Sequence, residues 1–347
     1  MFALKEWGRY TGLPPQVLMP LLEIKNLVKK FPIKGGLFSR VQAHVHAVSG
    51  VSLSIEEGKT LGLVGESGCG KTTLGRTILR LLNPDSGEIL FDKEDITSLS
   101  PSQLRPLRKK FQMIFQDPYS SLNPRMTVKG ILSEGLLIHR AGDKTYREER
   151  VAEILSIVGL PPDAAMKYPH EFSGGQRQRI GIARALVLLP KLIICDEPVS
   201  ALDVSIQAQI INLLSQLKRD FRLTYLFISH DLKVVKHISD QIAIMYLGHI
   251  VEYLDSKNLL RCRHPYTQAL LEAIPLPVPK KKKKQIIKGE IPSPVYPPSG
   301  CVFRTRCPYA EEICKQEVPM LVEHTVGHPV ACHFADSIPE FKQEELL

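Results

Sequence analysis

Strand-like and helix-like spacings of apolar side chains alternate along this chain. Val51, Leu53 and Ile55 alternate with Ser52, Ser54 and Glu56, the two-residue period of a strand. Residues 60–64 are a short, mostly apolar run that ends at Gly65 and reads as a second strand. Leu74, Ile78 and Leu81 then recur at helical spacing and predict one helix over residues 72–82. Ile180, Ala183 and Leu186 continue a further helical pattern. Residues 192–195 are uninterrupted apolar positions, as in a buried strand, and end at Asp196-Glu197. Asp203 opens a helix whose stripe is Ile206, Ile210, Leu213, Leu214 and Leu217. Leu226-Phe227-Ile228 leads as a strand into Ser229-His230-Asp231. Buried strands alternating with helices predict an α/β sheet.

Around this core the texture changes. Residues 1–20 read as a leader, with Met19 as a candidate alternative start. Residues 21–28 read as an opening strand, and residues 32–47, with Gly35-Gly36 and several basic side chains, as an inserted loop. Residues 117–175 are helix-like: Val151, Ile154, Leu155 and Val158 form a stripe stopped by Gly159 and Pro161-Pro162, which predicts a helical subdomain inserted into an α/β domain over 21–265. Residues 266–347 would be a proline- and lysine-rich linker followed by a small cysteine-containing module. No internal repeat is visible.

Composition narrows the class. The 347 residues are 44% hydrophobic, which fits a globular protein with a substantial core. No run approaches 18 apolar residues, so no membrane-spanning helix is expected. Residues 1–20 lack the apolar core of a signal peptide, and a cytoplasmic location is expected. The net charge of +9 owes much to Lys280 through Lys284. Without interleaved aromatics that run reads as a solvated linker, and no direct nucleic acid contact is expected.

The chemistry concentrates in two glycine turns. Gly65-x-x-Gly68-Cys69-Gly70-Lys71-Thr72 has P-loop spacing between a strand and a helix, where backbone N–H groups and the helix start cradle phosphates. Lys71 is placed to reach the β and γ phosphates of ATP, Thr72 to bind Mg²⁺, and Thr73 to pack or touch phosphate. Cys69 and Cys195 need no chemical role beyond packing. Asp196 is a candidate Mg²⁺ ligand and Glu197 the candidate that polarises the attacking water. His230 follows a strand and is a candidate γ-phosphate sensor, and Gln116 a candidate contact for Mg²⁺ and the water. Ser173-Gly174-Gly175-Gln176 is the second turn.

In that order, these motifs resemble the ATP-binding subunits of ABC transporters over about residues 21–260. The resemblance implies an α/β P-loop NTPase of the ABC nucleotide-binding type, with a helical subdomain and a C-terminal extension. It implies that Ser173 and Gly175 of one subunit contact the γ-phosphate held by the P-loop of another, with Gln176 supporting the turn. It also implies Glu197 as general base, His230 as switch residue, Ser200-Ala201-Leu202-Asp203 as the segment communicating between sites, and Phe31 as the ring on adenine. Phe172 stands where many relatives have leucine, a change not expected to disable the site.

More narrowly, the chain resembles ATP-binding subunits of oligopeptide and dipeptide importers. The long segment 31–48, the run Gln116-Asp117-Pro118-Tyr119-Ser120-Ser121-Leu122-Asn123-Pro124 and His264-Pro265-Tyr266-Thr267 carry this likeness. It implies a bacterial system with a second homologous ATP-binding subunit, two transmembrane permease subunits and an extracytoplasmic peptide-binding protein. This chain would lie peripherally on the cytoplasmic membrane face, with residues 117–135 lining the groove for a permease coupling helix. A nickel-import ATPase and a soluble ABC ATPase acting on nucleic acid or ribosomes are the alternatives. Cys301, Cys307, Cys314 and Cys332 could bind iron–sulfur or zinc, and their spacing does not choose between them. The resemblance implies a [4Fe–4S] cluster, with zinc as alternative and Cys262 outside the set.

Overall fold

The computed structural model describes residues 20–35, 40–274, 289–339 and 341. The expected leader and the run Lys280 through Lys284 lie outside these described residues, the leader up to residue 19. The chain begins as two long antiparallel strands, β1 (Pro20–Gly35) and β2 (Arg40–Glu56). The expected inserted loop over 32–47 is therefore mostly strand: Phe31 pairs with Val45 and Ile33 with Ala43. Val41, Ala43 and Val45 alternate with Gln42, His44 and His46, a strand period that the neighbouring glycines and basic residues obscured.

The wholly buried strand β3 (Thr60–Val64) feeds helix α1 (Lys71–Ile78). That helix stops short of the expected residue 82 because Arg80 adopts a left-handed backbone, φ 52°, and Leu81 turns outward, 46% exposed. Strands β4 (Ser86–Phe91) and β5 (Glu94–Asp95) complete a four-stranded sheet in the order β2-β1-β4-β5. Helix α2 (Pro101–Leu107), capped by Ser100, leads to β6 (Phe111–Ile114).

Helices α3 (Pro118–Ser121), α4 (Val128–Ile138), α5 (Lys144–Ile157) and α6 (Gly174–Leu186) follow. The Val151, Ile154, Leu155 stripe is buried against Ile131, Leu132 and Leu186 in one apolar cluster. Then come β7 (Leu192–Asp196), α7 (Val204–Phe221), β8 (Thr224–Ser229), α8 (Leu232–Ile238), β9 (Gln241–Tyr246) and β10 (His249–Asp255). Strands β9, β3, β8, β7 and β6 lie side by side in parallel, as their continuous apolar runs require. Their carboxyl ends at Val64, Asp196 and Ser229 therefore emerge together, and the loops that begin at Gly65, Glu197 and His230 grow from that edge.

Helix α9 (Pro265–Glu272) packs its Tyr266 into the core. The last segment carries α10 (Ile313–Gln316), β11 (Val322–Thr325) and β12 (His328–Val330). Strand β12 pairs antiparallel with β10, so this module extends the main sheet in the order β11-β12-β10-β9-β3-β8-β7-β6. Among the described residues no helix is long and apolar enough to cross a membrane.

Candidate functional site

The loop between β3 and α1 is tightly constrained. A side chain at Gly65 would collide with the Met245 carbonyl oxygen, and one at Gly70, φ 109°, with that of Ala47. Only glycine fits both places, and it lets the loop turn with its N–H groups at the helix start. Gly68 sits at the exposed turn, and Thr73 is half-buried on the first helical turn. Lys71 is buried; its ammonium donates to Gly65 O at 2.7 Å, to Glu66 O at 2.9 Å and to Cys69 Sγ at 3.7 Å. Burial pushes the Cys69 thiol up, and Lys71 pulls the other way. Phe31 pairs in register with Val45, two residues from the Ala47 that supports Gly70.

Thr72 donates its hydroxyl to Asp196 Oδ1 at 2.8 Å, joining α1 to the end of β7. The second oxygen, Asp196 Oδ2, is buried with no hydrogen-bond partner. Burial pushes this carboxyl up, with the Thr72 hydrogen bond opposing. A hydroxyl and an orphaned carboxylate oxygen are a donor set that fits Mg²⁺, a hard cation that takes oxygen ligands.

Glu197 is the meeting point of three strand ends. Its backbone is left-handed, φ 46°, a strained state for a non-glycine residue, and its N–H is tied to Ile228 O on β8 at 3.0 Å. Gln116 Nε2 donates to Glu197 Oε2 at 3.1 Å, and His230 Nδ1 lies 3.4 Å from the same oxygen. Gln116, Asp196, Glu197 and His230, far apart in sequence, are thus neighbours because β6, β7 and β8 are adjacent and parallel.

The 173–176 turn is built differently. Ser173 caps α6: its Oγ accepts from Gln176 N at 3.4 Å, and Gln176 Oε1 accepts from Ser173 N at 3.0 Å. Gly174 and Gly175 face Leu202 and Ile206, which brings the 200–203 segment against this turn. Among the described residues no hydrogen bond joins residues 173–176 to residues 65–73.

Three contacts escaped the sequence reading. Tyr266 Oη accepts the Glu66 N–H at 2.8 Å, and Arg306 grips the Glu66 carboxylate with two nitrogens at 2.7 and 3.0 Å. A charged residue inside an otherwise small-residue loop was the one available signal.

The metal centre expected on Cys301, Cys307, Cys314 and Cys332 is not present. Among the described residues no group of three or more His, Cys, Asp or Glu side chains is arranged to hold a metal ion. All four are free thiols. Cys301 and Cys314 are buried in the same apolar cluster as Phe303, with Cys301 N donating to Cys314 O at 2.8 Å. Burial pushes Cys307 up to about 12 and Cys332 up to about 11. Neither the iron–sulfur nor the zinc expectation stands: sheet pairing and apolar packing hold this module. Cys262 is also a buried free thiol.

An apolar groove of about 300 Å³ lies beside the helical segment. It takes in Ile131 and Glu134 from the range 117–135, and adds Leu81, Phe115 and Arg184 from outside it.

Comparison with known proteins agrees with this geometry. The family described as ABC transporter matches residues 48–200, and that described as oligopeptide/dipeptide transporter, C-terminal region, matches 251–314. The chain is 55% identical over 318 residues to the oligopeptide transport ATP-binding protein AppF of Bacillus subtilis, covering 90% of this chain and 97% of that one. It is 52% identical over 321 residues to the putative oligopeptide transport ATP-binding protein YkfD of the same organism, covering 91% and 95%. Its fold is similar to the dimeric post-hydrolysis structure of the ATP-binding cassette MJ0796 bound to ADP and Pi, with TM-score 0.60 and 28% identity over 68% of this chain and 98% of that one. It is also similar to cbiO1 from Clostridium perfringens, with TM-score 0.59 and 26% identity over 69% and 90%. The chain is therefore an ABC-type ATPase and belongs to the peptide-import group of ABC transporter ATP-binding subunits.

Proposed function

We propose that this chain hydrolyses ATP to drive peptide import, working peripherally on the cytoplasmic face of a bacterial membrane. The observation that carries the reading is the convergence of Gln116 and His230 on one oxygen of Glu197, beside the Thr72–Asp196 pair at the head of the P-loop helix. Lys71 draws the β and γ phosphates into the cradle of residues 65–73. Thr72 and Asp196, with Gln116 at the edge, would hold Mg²⁺, which supplies charge neutralisation to the phosphate oxygens when bound. Glu197 takes the proton of the attacking water as its oxygen bonds to the γ-phosphorus and ADP leaves; Gln116 and His230 orient that carboxylate and sense the phosphate. Phe31 stacks on adenine.

Ser173, Gly174, Gly175 and Gln176 serve the nucleotide of a second, homologous ATP-binding subunit, a distinct chain in the working complex. ATP draws the two subunits together and hydrolysis releases them. Two transmembrane permease subunits follow this motion, one through the groove at Leu81, Phe115 and Ile131, and an extracytoplasmic peptide-binding protein delivers cargo. The names of the relatives favour peptide over nickel, and the extent of the likeness favours a transporter over a soluble ATPase.

Glu197→Gln tests the chemistry. Hydrolysis by the assembled transporter falls by at least ~100-fold while nucleotide binding is retained. Wild-type turnover would remove Glu197 from the role of base. Co-purification of two membrane subunits, with ATPase stimulated by peptide-loaded binding protein and not by nickel, tests the transport assignment.

A further inference from the structure

We propose that Arg306 is a positioning residue of the ATP site: it holds Glu66 of the P-loop and so makes nucleotide affinity depend on docking of the C-terminal module. The inference rests on the reading of residues 65–73 as the triphosphate cradle.

Glu66 is held at three points. Its N–H goes to the Tyr266 hydroxyl at 2.8 Å, its carbonyl receives the Lys71 ammonium at 2.9 Å, and its carboxylate takes both prongs of Arg306. Two of the three anchors therefore come from residues 200 and 240 positions away. The Arg306 side chain is 6% exposed and the Glu66 side chain 23%, so the pair is shielded from water and salt. A two-pronged, charge-assisted pair of this kind fixes orientation as well as charge. Arg306 also donates to the Tyr246 hydroxyl at 3.4 Å and lies 5.8 Å from that ring's centre. The rings of Tyr246, Tyr266 and Phe303 pack with centres 4.7, 5.2 and 5.4 Å apart, so the module, the helix bearing Tyr266 and the core strand β9 form one support behind the loop. The hydrogen bond to Glu66 holds Arg306 well above its ordinary value, against the pull of burial.

Without Arg306, a shielded carboxylate is left uncompensated next to the loop that receives an anionic triphosphate. It repels that anion, and it is free to compete for the Lys71 ammonium that now touches the Glu66 carbonyl. Coupling of this kind is reciprocal, so bound ATP also tightens the docking of residues 301–307.

The test is fluorescence titration of a trinitrophenyl-ATP analogue onto the full chain, as a double-mutant cycle. R306M weakens binding about tenfold. In the E66Q background the same substitution changes the Kd by less than about twofold, because no carboxylate is left to neutralise. A merely structural role for Arg306 would give the same loss in both backgrounds, and that result overturns the proposal, as does wild-type affinity in R306M. R306K, which keeps the charge but not the fork, covers the case of an unfolded R306M: binding about threefold weaker supports the proposal and unchanged binding overturns it. In the wild type, ATP slows amide hydrogen exchange over residues 301–307; no change there also overturns it. A wild-type chain that binds no nucleotide would sink the cradle reading itself, so the two failures are distinguishable.

Discussion

The two glycine turns of this chain are supported in opposite ways. The P-loop is clamped from outside: Ala47 and Met245 carbonyls press on its glycines, and Asp196, Tyr266 and Arg306 bond to its residues. The 173–176 turn is hydrogen-bonded within itself, through the reciprocal Ser173–Gln176 pair, rests its glycines on Leu202 and Ile206, and leaves Ser173 exposed at the head of α6. A loop that receives ATP within its own chain is pre-shaped by distant segments, because backbone N–H groups must converge before the phosphates arrive. On the proposed reading the second turn meets nucleotide on another subunit, which needs an open face. The first should therefore be fragile to remote changes and the second to local ones.

The sharpest way to break this contrast is Gly70→Ala. With φ 109° and a carbonyl in the way, the added methyl costs ~3 kcal/mol, and nucleotide affinity falls about 100-fold. Calorimetric titration with ATP reads the loss; near-normal affinity would mean the clamp is loose.

Acid is a gentler probe of the same clamp. His264 is buried at the start of α9, where its Nδ1 accepts the Tyr266 N–H at 3.1 Å. Burial lowers His264 from its ordinary 6.5 to about 4, with Glu252 opposing. The unfolded chain therefore binds this proton first as pH falls, so the stabilisation is complete above pH 6.5 and declines between pH 6.5 and about 4. The loss is on the order of 3 kcal/mol. Thermal melts across that window show it, His264→Asn flattens it, and hydrogen exchange rises at residues 65–72 before residues 173–176.

The smallest effect belongs to Ser173→Ala. Loss of the cap costs ~1 kcal/mol of stability. ATP affinity of the isolated chain stays within about twofold, while ATPase activity of the assembled transporter falls. An affinity loss as large as that of Gly70→Ala would put both turns in one pocket and end the comparison.

Much of the candidate site was legible because its motifs are local in sequence. Residues 65–72 follow an apolar strand, Asp196 and Glu197 end another and His230 a third, so strand ends marked the functional edge. What escaped depended on distance or context. The 32–47 segment read as a loop because glycines and charges outweighed its alternating period, whereas pairing of β1 with β2 made it strand. Leu81 fitted a helical stripe, yet the backbone turn at Arg80 sent it into the groove. Four cysteines suggested a metal, since spacing counts ligands but says nothing of how they are arranged.

The α/β core and the glycine loop between a strand and a helix could be read from the chain alone, as could the proposed set of acids, amide and imidazole. Strand period and glycine spacing are properties of a few adjacent residues, so a chain carries them openly. It took the folded arrangement to bring Gln116 and His230 to one oxygen of Glu197, to pack Cys301 and Cys314 into the apolar cluster, and to close Arg306 on Glu66. Those outcomes depend on which strands lie side by side and which charges are shielded together. An ion pair spanning 240 residues leaves no local trace beyond a charge in a small-residue loop; sheet order and burial create it.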